Sequence, residues 1–379
     1  MKVQLGGLMG HMETAFKNIT TLRVGGPIAD FRSASSPAEL AQIVTQADAQ
    51  STPLVVVGCG SNLLAGDNVF EGTVVRACDT TGPVALTNGT GEDGVRVKVN
   101  VGCVWDDFVR WCVERDLAGL EALSGIPGQI GSAVMQNLGA YGQEIGTCLT
   151  SATLLDRTTG VVDVVSRDQL GLGYRTSMLR RSMDESQNGG RWAATPRWVV
   201  LDAEFTLHKQ ARNHVDHAQL ARALGCETGC EMELGAIRDS VYEVRASKGM
   251  VADPNPEGPF PIYDRWSSGS FFTNPVLTRD QAAAQLPEGA PLYPAHDDAH
   301  VKTSAAWLID QAGFHKGWGV HGEASKATLS TLHTLAMTNR GHATSADVVE
   351  LAQAVKDGVY DRFGVTLRPE TVLVGTSLH

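Results

Sequence analysis

The sequence predicts an α+β protein, and three observations carry that reading. Strand-like runs and helical apolar stripes mix along the chain without a strict βαβ alternation, which disfavours a doubly wound sheet. The 379 residues suffice for two or three domains at about 150 residues each. The composition, 42% hydrophobic and 19% charged, is that of a folded globular chain and excludes disordered, collagenous and small disulfide-rich classes.

The elements follow in order. Ser36 to Glu39 reads SPAE, a capping box with Pro37 at the first helical position, and Leu40, Ile43, Val44 and Ala47 continue it as an apolar stripe; a helix is predicted over 37–49. The run LVVV after Pro53 is short and β-branched, and Gly58 closes it as a buried strand entering a turn. From Val95 to Val101, Val alternates with Arg96, Lys98 and Asn100, the period-two pattern of a half-exposed strand. Further strands are expected at 151–156, 161–165 and 198–207, with the polar segment Ser182 to Pro196 as a loop between strands. Pro254, Pro256, Pro259 and Pro261 resist both helix and sheet and suit a rigid connection between domains. Helices are expected at 303–312, 324–338 and 345–363, the last carrying Val348, Leu351, Ala352, Val355 and Val359 on one face with Gly364 at its end. The tail VTLRPETVLVG reads as a returning strand.

With 31 Lys and Arg against 42 Asp and Glu, the net charge of −11 argues against a general nucleic-acid binder but leaves room for a local basic pocket. The 7 Cys are scattered without paired spacing and read as reduced thiols of an intracellular protein. The nearest pair, Cys226 and Cys230, reads as a plain pair over a metal site because no second pair accompanies it. No apolar stretch reaches the roughly 18 residues that span a bilayer, so a cytoplasmic protein without membrane contact is expected. The opening MKVQLGGLMGHM has no periodicity and reads as a frayed or extraneous terminus.

Six segments carry candidate chemistry. VVVGCGSNLL (Val55 to Leu64) places Gly58 and Gly60 after a strand, where backbone N–H groups could cradle phosphate with Ser61 and Asn62 adding donors, although an ordinary tight turn looks the same. Leu63 stands where a dinucleotide fingerprint wants its third Gly, so a standard nicotinamide dehydrogenase is disfavoured. LSGIPGQIGSAVMQNLGAYG (Leu123 to Gly142) is dense in glycine, whose entropic cost points to close backbone approach to a ligand over a structural loop. Together the two suggest a large phosphate-bearing cofactor. In YRTS, Arg175 could hold a carboxylate or simply pack its stem on Tyr174. Arg245 and Lys248 in VRASKGM share a helix face, either as an anion site or as solvated charges. In SSGSFFTNP, Ser270 stands beside Phe271 and Phe272, an apolar wall or a strand entering a core. In PETVLVG, Glu370 enters an apolar strand end, where a raised pKa would make it an acid or hydrogen-bond donor; a surface Glu at a strand mouth fits as well. The His residues show no ligand spacing, and no metal is expected.

Taken in order from NITTLRVGGPIADF to PETVLVG, these motifs resemble the UDP-N-acetylenolpyruvoylglucosamine reductases, the flavoenzyme family of bacterial peptidoglycan synthesis, in its longer type with extra substrate-domain loops. The resemblance implies a tightly bound FAD in a region of the vanillyl-alcohol-oxidase (PCMH) type built from two α+β parts, a smaller α+β C-terminal substrate domain, and NADPH as co-substrate. It implies 1–12 outside the fold, an FAD-binding region over 13–235 divided at about 85, a substrate domain over 236–365, and a terminal strand over 366–379 that returns to the flavin.

By motif, FAD would be held by Arg23, by Val57, Gly58, Cys59, Gly60, Ser61, Asn62 and Leu63, and by Ser124, Gly125, Ile126, Pro127, Gly128, Ile130, Gly131, Ser132, Gln136, Asn137, Gly139, Ala140, Tyr141 and Gly142. Arg175, Ser270 and Glu370 match the family's catalytic set, and Tyr174, His217, Arg245, Lys248, Asn274 and Gln311 its substrate contacts. The implied cycle has NADPH reduce FAD and leave, after which the enolpyruvyl ether of UDP-N-acetylglucosamine binds, accepts hydride from flavin N5 at its CH₂ carbon, and is protonated by Ser270. Arg175 and a protonated Glu370 would stabilise the enolate.

Two departures stand out. His217 occupies the place of a loop Tyr that covers the substrate's uridine, so a lid role and pH-dependent binding near neutrality are expected. Val372 stands where some relatives carry a basic residue, and the Tyr293 region (APLYP) resembles the extra loop of the longer type. Two competing readings, another flavin oxidase and a noncatalytic nucleotide-sugar binder, leave GSFFTNP with PETVLVG, or Ser270 with Glu370, without a use.

Overall fold

The computed structural model describes residues 14–78, 81–86, 94–186, 190–251 and 262–379. The expectations for residues 1–12 and for the proline-rich connection Pro254 to Pro261 lie outside them.

The helix Pro37–Ala49 spans the predicted residues, with the Ser36 side chain accepting from Glu39 N–H. The box is only half closed, because the Glu39 carboxylate turns back to Ser35. This helix packs on a three-stranded parallel sheet in the order Ile28–Ala34, Phe70–Ala77, Leu54–Val57. Beside it lies an antiparallel sheet running Val162–Ser166, Leu149–Asp156, Trp198–Lys209, Val95–Asn100 and Val84–Ala85. One large core joins the helix to this second sheet through Leu40, Val44, Trp105, Phe108 and Phe205. Parallel and antiparallel sheets thus coexist, as the α+β reading predicts.

A second core gathers Phe271, Phe272, Leu308, Leu351 and Val355 with Leu22, Val24 and Leu64 from the start of the chain. Its long helix Ser345–Phe363 is capped by Thr344 and closed by Gly364 in a left-handed conformation, as its sequence predicts. The tail returns as Val372–Val374, pairing in parallel with Leu63–Ala65. That pairing carries the C-terminus back to the loop that follows Leu54–Val57.

Three expectations are corrected. The helix predicted at 324–338 is a hairpin of Ala327–Leu329 and Ala336–Asn339; Leu329, Leu332 and Leu335 imitate a helical stripe, but each short strand alternates inside its own pairing. The loop predicted from Ser182 begins as the last turn of the helix Met178–Glu185, which Ser177 caps. Cys226 and Cys230, expected as thiols, are joined in a disulfide; the turn after the helix Ala218–Ala223 brings their Cα atoms to 6.4 Å.

Candidate active site

The two glycine-rich segments face each other across one cavity. Val57, Gly58, Cys59, Gly60, Ser61, Asn62 and Leu63 line one side, and Ile126, Pro127, Gly128, Ser132, Gln136, Gly139 and Ala140 the other. Side chains zip the segments together: Ser61 Oγ donates to Pro127 O at 3.0 Å, and Asn62 Nδ2 donates to Gln136 Oε1 at 3.2 Å. These side chains are therefore occupied by the protein and are not the free donors the sequence suggested. Gly60 is required, since its φ is +62° and a Cβ there would stand 2.1 Å from Ile19 O. The backbone N–H groups of Cys59, Gly60 and Ser61 donate to no protein acceptor among the described residues. Backbone donors that line a cavity without a protein acceptor are open to a ligand's oxygens, so this cradle fits the phosphates of a dinucleotide cofactor.

Arg175, Arg245, Ser270 and Glu370 line the same cavity, although they come from four distant stretches of chain. Arg175 sits in a tight turn closed by Gly173 and Thr176, with a left-handed φ of 53°; a non-Gly residue held there signals strain kept by its surroundings. Asn137 holds that turn, its Nδ2 donating to Gly173 O at 3.0 Å. Arg175 Nε lies 2.9 Å from Glu370 Oε1, yet its N–H is aimed at no acceptor. The contact is a charge pair with a donor to spare. Burial pushes the Glu370 carboxyl up, against the opposing charges of Arg175 and Arg180, so desolvation wins.

Ser270 ends the strand Ser267–Ser270, whose register with Ala336–Asn339 shifts between Ser267 and Ser270. Gly269, at φ +75°, permits that bulge, and bulges re-aim the side chains that follow. Phe271 and Phe272 behind it are fully buried in the second core and do not line the cavity, so the reading of a strand entering a core holds and that of an apolar wall does not. Glu370 N–H donates to Phe271 O at 2.8 Å, which ties Glu370 to the residue next to Ser270.

Toward the other end, Lys248 Nζ stands 5.8 Å from the Tyr141 ring and donates to Gln219 Oε1 at 3.1 Å. Lys248 lies beyond the helix Leu234–Ala246, so it does not share a helix face with Arg245 as expected. Arg245 Nε donates to Gly125 O at 3.1 Å. An Asp106 cluster fixes this region: Asp106 accepts from Gly125 N–H at 2.6 Å and from both Nη atoms of Arg238, as well as from Tyr242 OH. The Tyr242 hydroxyl is pushed up to about 12 by burial and by Asp106. His217 meets Tyr141 edge-on at 5.4 Å and its Nδ1 is buried without a partner. Burial and Lys248 push its pKa down, away from the neutral range expected for it.

The remaining predicted residues lie elsewhere. Ile130 is buried in the core, and a Cβ on Gly131 would meet Val101 Cγ2 at 2.6 Å. Ser124 Oγ donates to Glu121 O, and Asn137 is structural as described, so these four serve the scaffold. Gly142 packs beside Asp216 and His217. Arg23 lies 4.3 Å over the Trp266 ring and does not line the cavity. Asn274 accepts from Ala305 N–H, and its own N–H donates to the Tyr174 hydroxyl at 3.3 Å. Tyr174 also carries Lys302 Nζ 4.4 Å over its ring. Gln311 is exposed at the end of the helix Ala305–Gln311, apart from the cavity.

Other residues entered unannounced. Gln129 lines the cavity and bridges Ala77 O and Gly102 O through Nε2 at 2.9 and 2.8 Å; a Gln between glycines was the signal available. His333 lies within the electrostatic reach of Lys248 and Lys316, and burial with these charges holds it down to about 4. Arg180 reaches the Glu370 backbone. No pattern around His333 or Arg180 marks them in sequence.

Comparison with known proteins agrees with this geometry. Residues 261–374 match the family model of the UDP-N-acetylenolpyruvoylglucosamine reductase C-terminal domain, and residues 31–165 match a model of an FAD binding domain. The chain is 43% identical over 372 residues to the UDP-N-acetylenolpyruvoylglucosamine reductase of Cutibacterium acnes, covering 98% of this chain and 92% of that protein. It is 44% identical over 375 residues to that of Saccharopolyspora erythraea, covering 96% of each. Among solved structures it resembles the enzyme of that name from Thermus caldophilus, with a TM-score of 0.60, 25% identity, and coverage of 96% of this chain and 98% of that one. No helix among the described residues is long and apolar enough to cross a membrane. Identity at this level over nearly the whole chain, with both family models in place, means that the chain belongs to the UDP-N-acetylenolpyruvoylglucosamine reductase family of oxidoreductases.

Proposed function

We propose that this chain is a cytoplasmic, NADPH-dependent flavoenzyme that reduces UDP-N-acetyl-3-O-(1-carboxyvinyl)glucosamine to UDP-N-acetylmuramate for peptidoglycan synthesis. The observation that carries the reading is the meeting of Arg175, Ser270 and Glu370 in one cavity with the unpartnered backbone donors of the GCGSN loop. Bound FAD, held by the segments 57–63 and 126–140, would supply the two-electron chemistry between NADPH and the enolpyruvyl carbon. The FAD-binding part would extend over 13–235 and the substrate part over 236–365, with the tail completing the site.

The residues divide the remaining work. Arg175, with its spare Nε–H, holds the substrate carboxylate and the negative charge that develops beside it. Glu370, whose carboxyl burial pushes toward its protonated form, would in that form donate a hydrogen bond to the same developing enolate; preorganised donors in a dry site act where charge appears. Ser270 gives its proton to the carbanionic carbon, which is basic enough to take it from an alcohol over a short fixed distance. Lys248 and Arg245 supply positive charge for the diphosphate, with His333 beside Lys248 as an uncharged imidazole; Tyr174 and Asn274 border the reaction end, and His217 stacks at the uridine end.

The test is an anaerobic visible spectrum. Flavin bands should bleach on adding NADPH and return on adding the enolpyruvyl sugar nucleotide. A protein that cannot be loaded with FAD, or whose reduced flavin ignores that acceptor, would overturn the reading.

A further inference from the structure

The peptide that bears Glu370 is gripped from three directions. Its N–H donates to Phe271 O at 2.8 Å, and its carbonyl accepts from Asn62 Nδ2 and from Arg180 Nη1, each at 3.2 Å. Arg180 Nη2 also reaches Pro369 O at 3.4 Å. Arg180 stands in the first turn of the helix Met178–Glu185, with only 16% of its side chain exposed. Ser177 anchors that turn: its hydroxyl donates to Met135 O and accepts from the N–H groups of Leu179 and Arg180. Arg180 Nε is taken by Asp184 at 3.1 Å, which turns the two Nη groups toward the successive carbonyls. One turn and its helix thus supply two cations, Arg175 to the carboxyl of Glu370 and Arg180 to its backbone.

We propose that Arg180 is a positioning residue, which fixes the Pro369–Glu370 peptide so that the Glu370 carboxyl meets the reacting atoms beside Arg175. The inference rests on the reading of Glu370 as a hydrogen-bond donor in the reaction. A planar fork suits two neighbouring carbonyls in a way that a lysine's single ammonium does not.

The same contact sets a charge balance. The groups facing the Glu370 carboxyl are Arg175 and Arg180, which pull its pKa down, and burial, which pushes it up more strongly. The Tyr174 phenol is the other titratable group coupled to it, and Asp184 is paired with Arg180. Removing Arg180 therefore raises Glu370 further, and its protonated form persists to higher pH.

The experiment compares FAD-loaded wild type with Arg180→Met, Arg180→Lys and Glu370→Gln. Arg180→Met should lower kcat by about 10- to 100-fold, the scale of a lost charge-assisted hydrogen bond. KM and the rate of flavin reduction by NADPH should stay within about 2-fold on the same reasoning. The alkaline limb of kcat should move to higher pH in Arg180→Met and return in Arg180→Lys, which keeps the charge but regains only part of kcat. Hydrogen exchange across 365–375 should quicken in both Arg180 variants. A wild-type kcat in Arg180→Met, or a fall in kcat with an unmoved alkaline limb, overturns the proposal. Glu370→Gln separates this from the parent reading: it should be slowed and lose the alkaline limb, because an amide donates at every pH. If Glu370→Gln keeps wild-type turnover and the limb, the role of Glu370 falls, and with it the reason for Arg180; if Glu370→Gln behaves as expected while Arg180→Met does not, only the role of Arg180 falls.

Discussion

At the end of the cavity where Arg175, Ser270 and Glu370 meet, each group is set by backbone: a strained turn, a bulged strand and a peptide held from three sides. At the other end, outside the residues that line the cavity, Lys248, His217 and His333 stand in loops and at the start of a short helix; Lys248 and His217 meet the side chains of Gln219 and Tyr141, and His333 Nδ1 accepts from Leu335 N–H. The difference teaches where geometry matters and where charge suffices. Transferring a proton to carbon requires fixed distances, whereas holding a diphosphate requires positive charge within reach. Substitutions at the first end should therefore cost kcat, and those at the second should cost KM.

The largest effect is expected at Arg175. Arg175→Met should lower kcat by roughly 10²- to 10³-fold, the range for removing one preorganised donor to a developing oxyanion, and Arg175→Lys should recover only a part because the planar fork is lost. Steady-state kinetics on both variants check this; a loss confined to KM would move Arg175 from the reaction end to simple binding. Lys248→Met should raise the substrate KM by about 10-fold, as expected for losing one charge-assisted contact, with kcat little changed. A fall in kcat equal to the rise in KM would erase the contrast between the two ends. His217→Ala should raise the substrate KM by only a few-fold, and the pH dependence it removes should lie lower than the sequence suggested, since its pKa is pushed down.

The smallest effect concerns stability. His333 is held near 4 in the fold, below the ordinary value of about 6.5 for an unfolded His. Between those values the unfolded chain binds a proton that the fold refuses, so stability is lost as pH falls from about 6.5 toward 4. Thermal melts of His333→Gln should show a shallower decline over that window than wild type. Equal declines would mean that His333 titrates freely.

How far the sequence revealed the molecule differs between these parts. The helices Pro37–Ala49 and Ser345–Phe363 were legible because cap, stripe and terminator all agree within one segment. The hairpin at 327–339 was not, because Leu329, Leu332 and Leu335 recur at a helical interval while the true pattern belongs to two strands that pair across a turn. In the site, glycine density made both halves of the cradle visible, yet it also drew in Ile130, Gly131 and Asn137, which serve packing and turn geometry. Arg180 and His333 acquire their places only when distant segments return to them, and nothing in their neighbours' sequence announces that. The Cys226–Cys230 bond was missed for the same reason, since spacing alone does not reveal the turn that brings the two sulfurs together.

The most direct test of the reaction end is a single turnover with Ser270→Ala, reduced by NADPH without oxygen and then mixed with the enolpyruvyl sugar nucleotide. Reduction should proceed at the wild-type rate, and reoxidation should be slower by at least about 10²-fold, the low end for a lost general acid. Reoxidation to product at the wild-type rate would contradict the assignment and remove Ser270 from the chemistry.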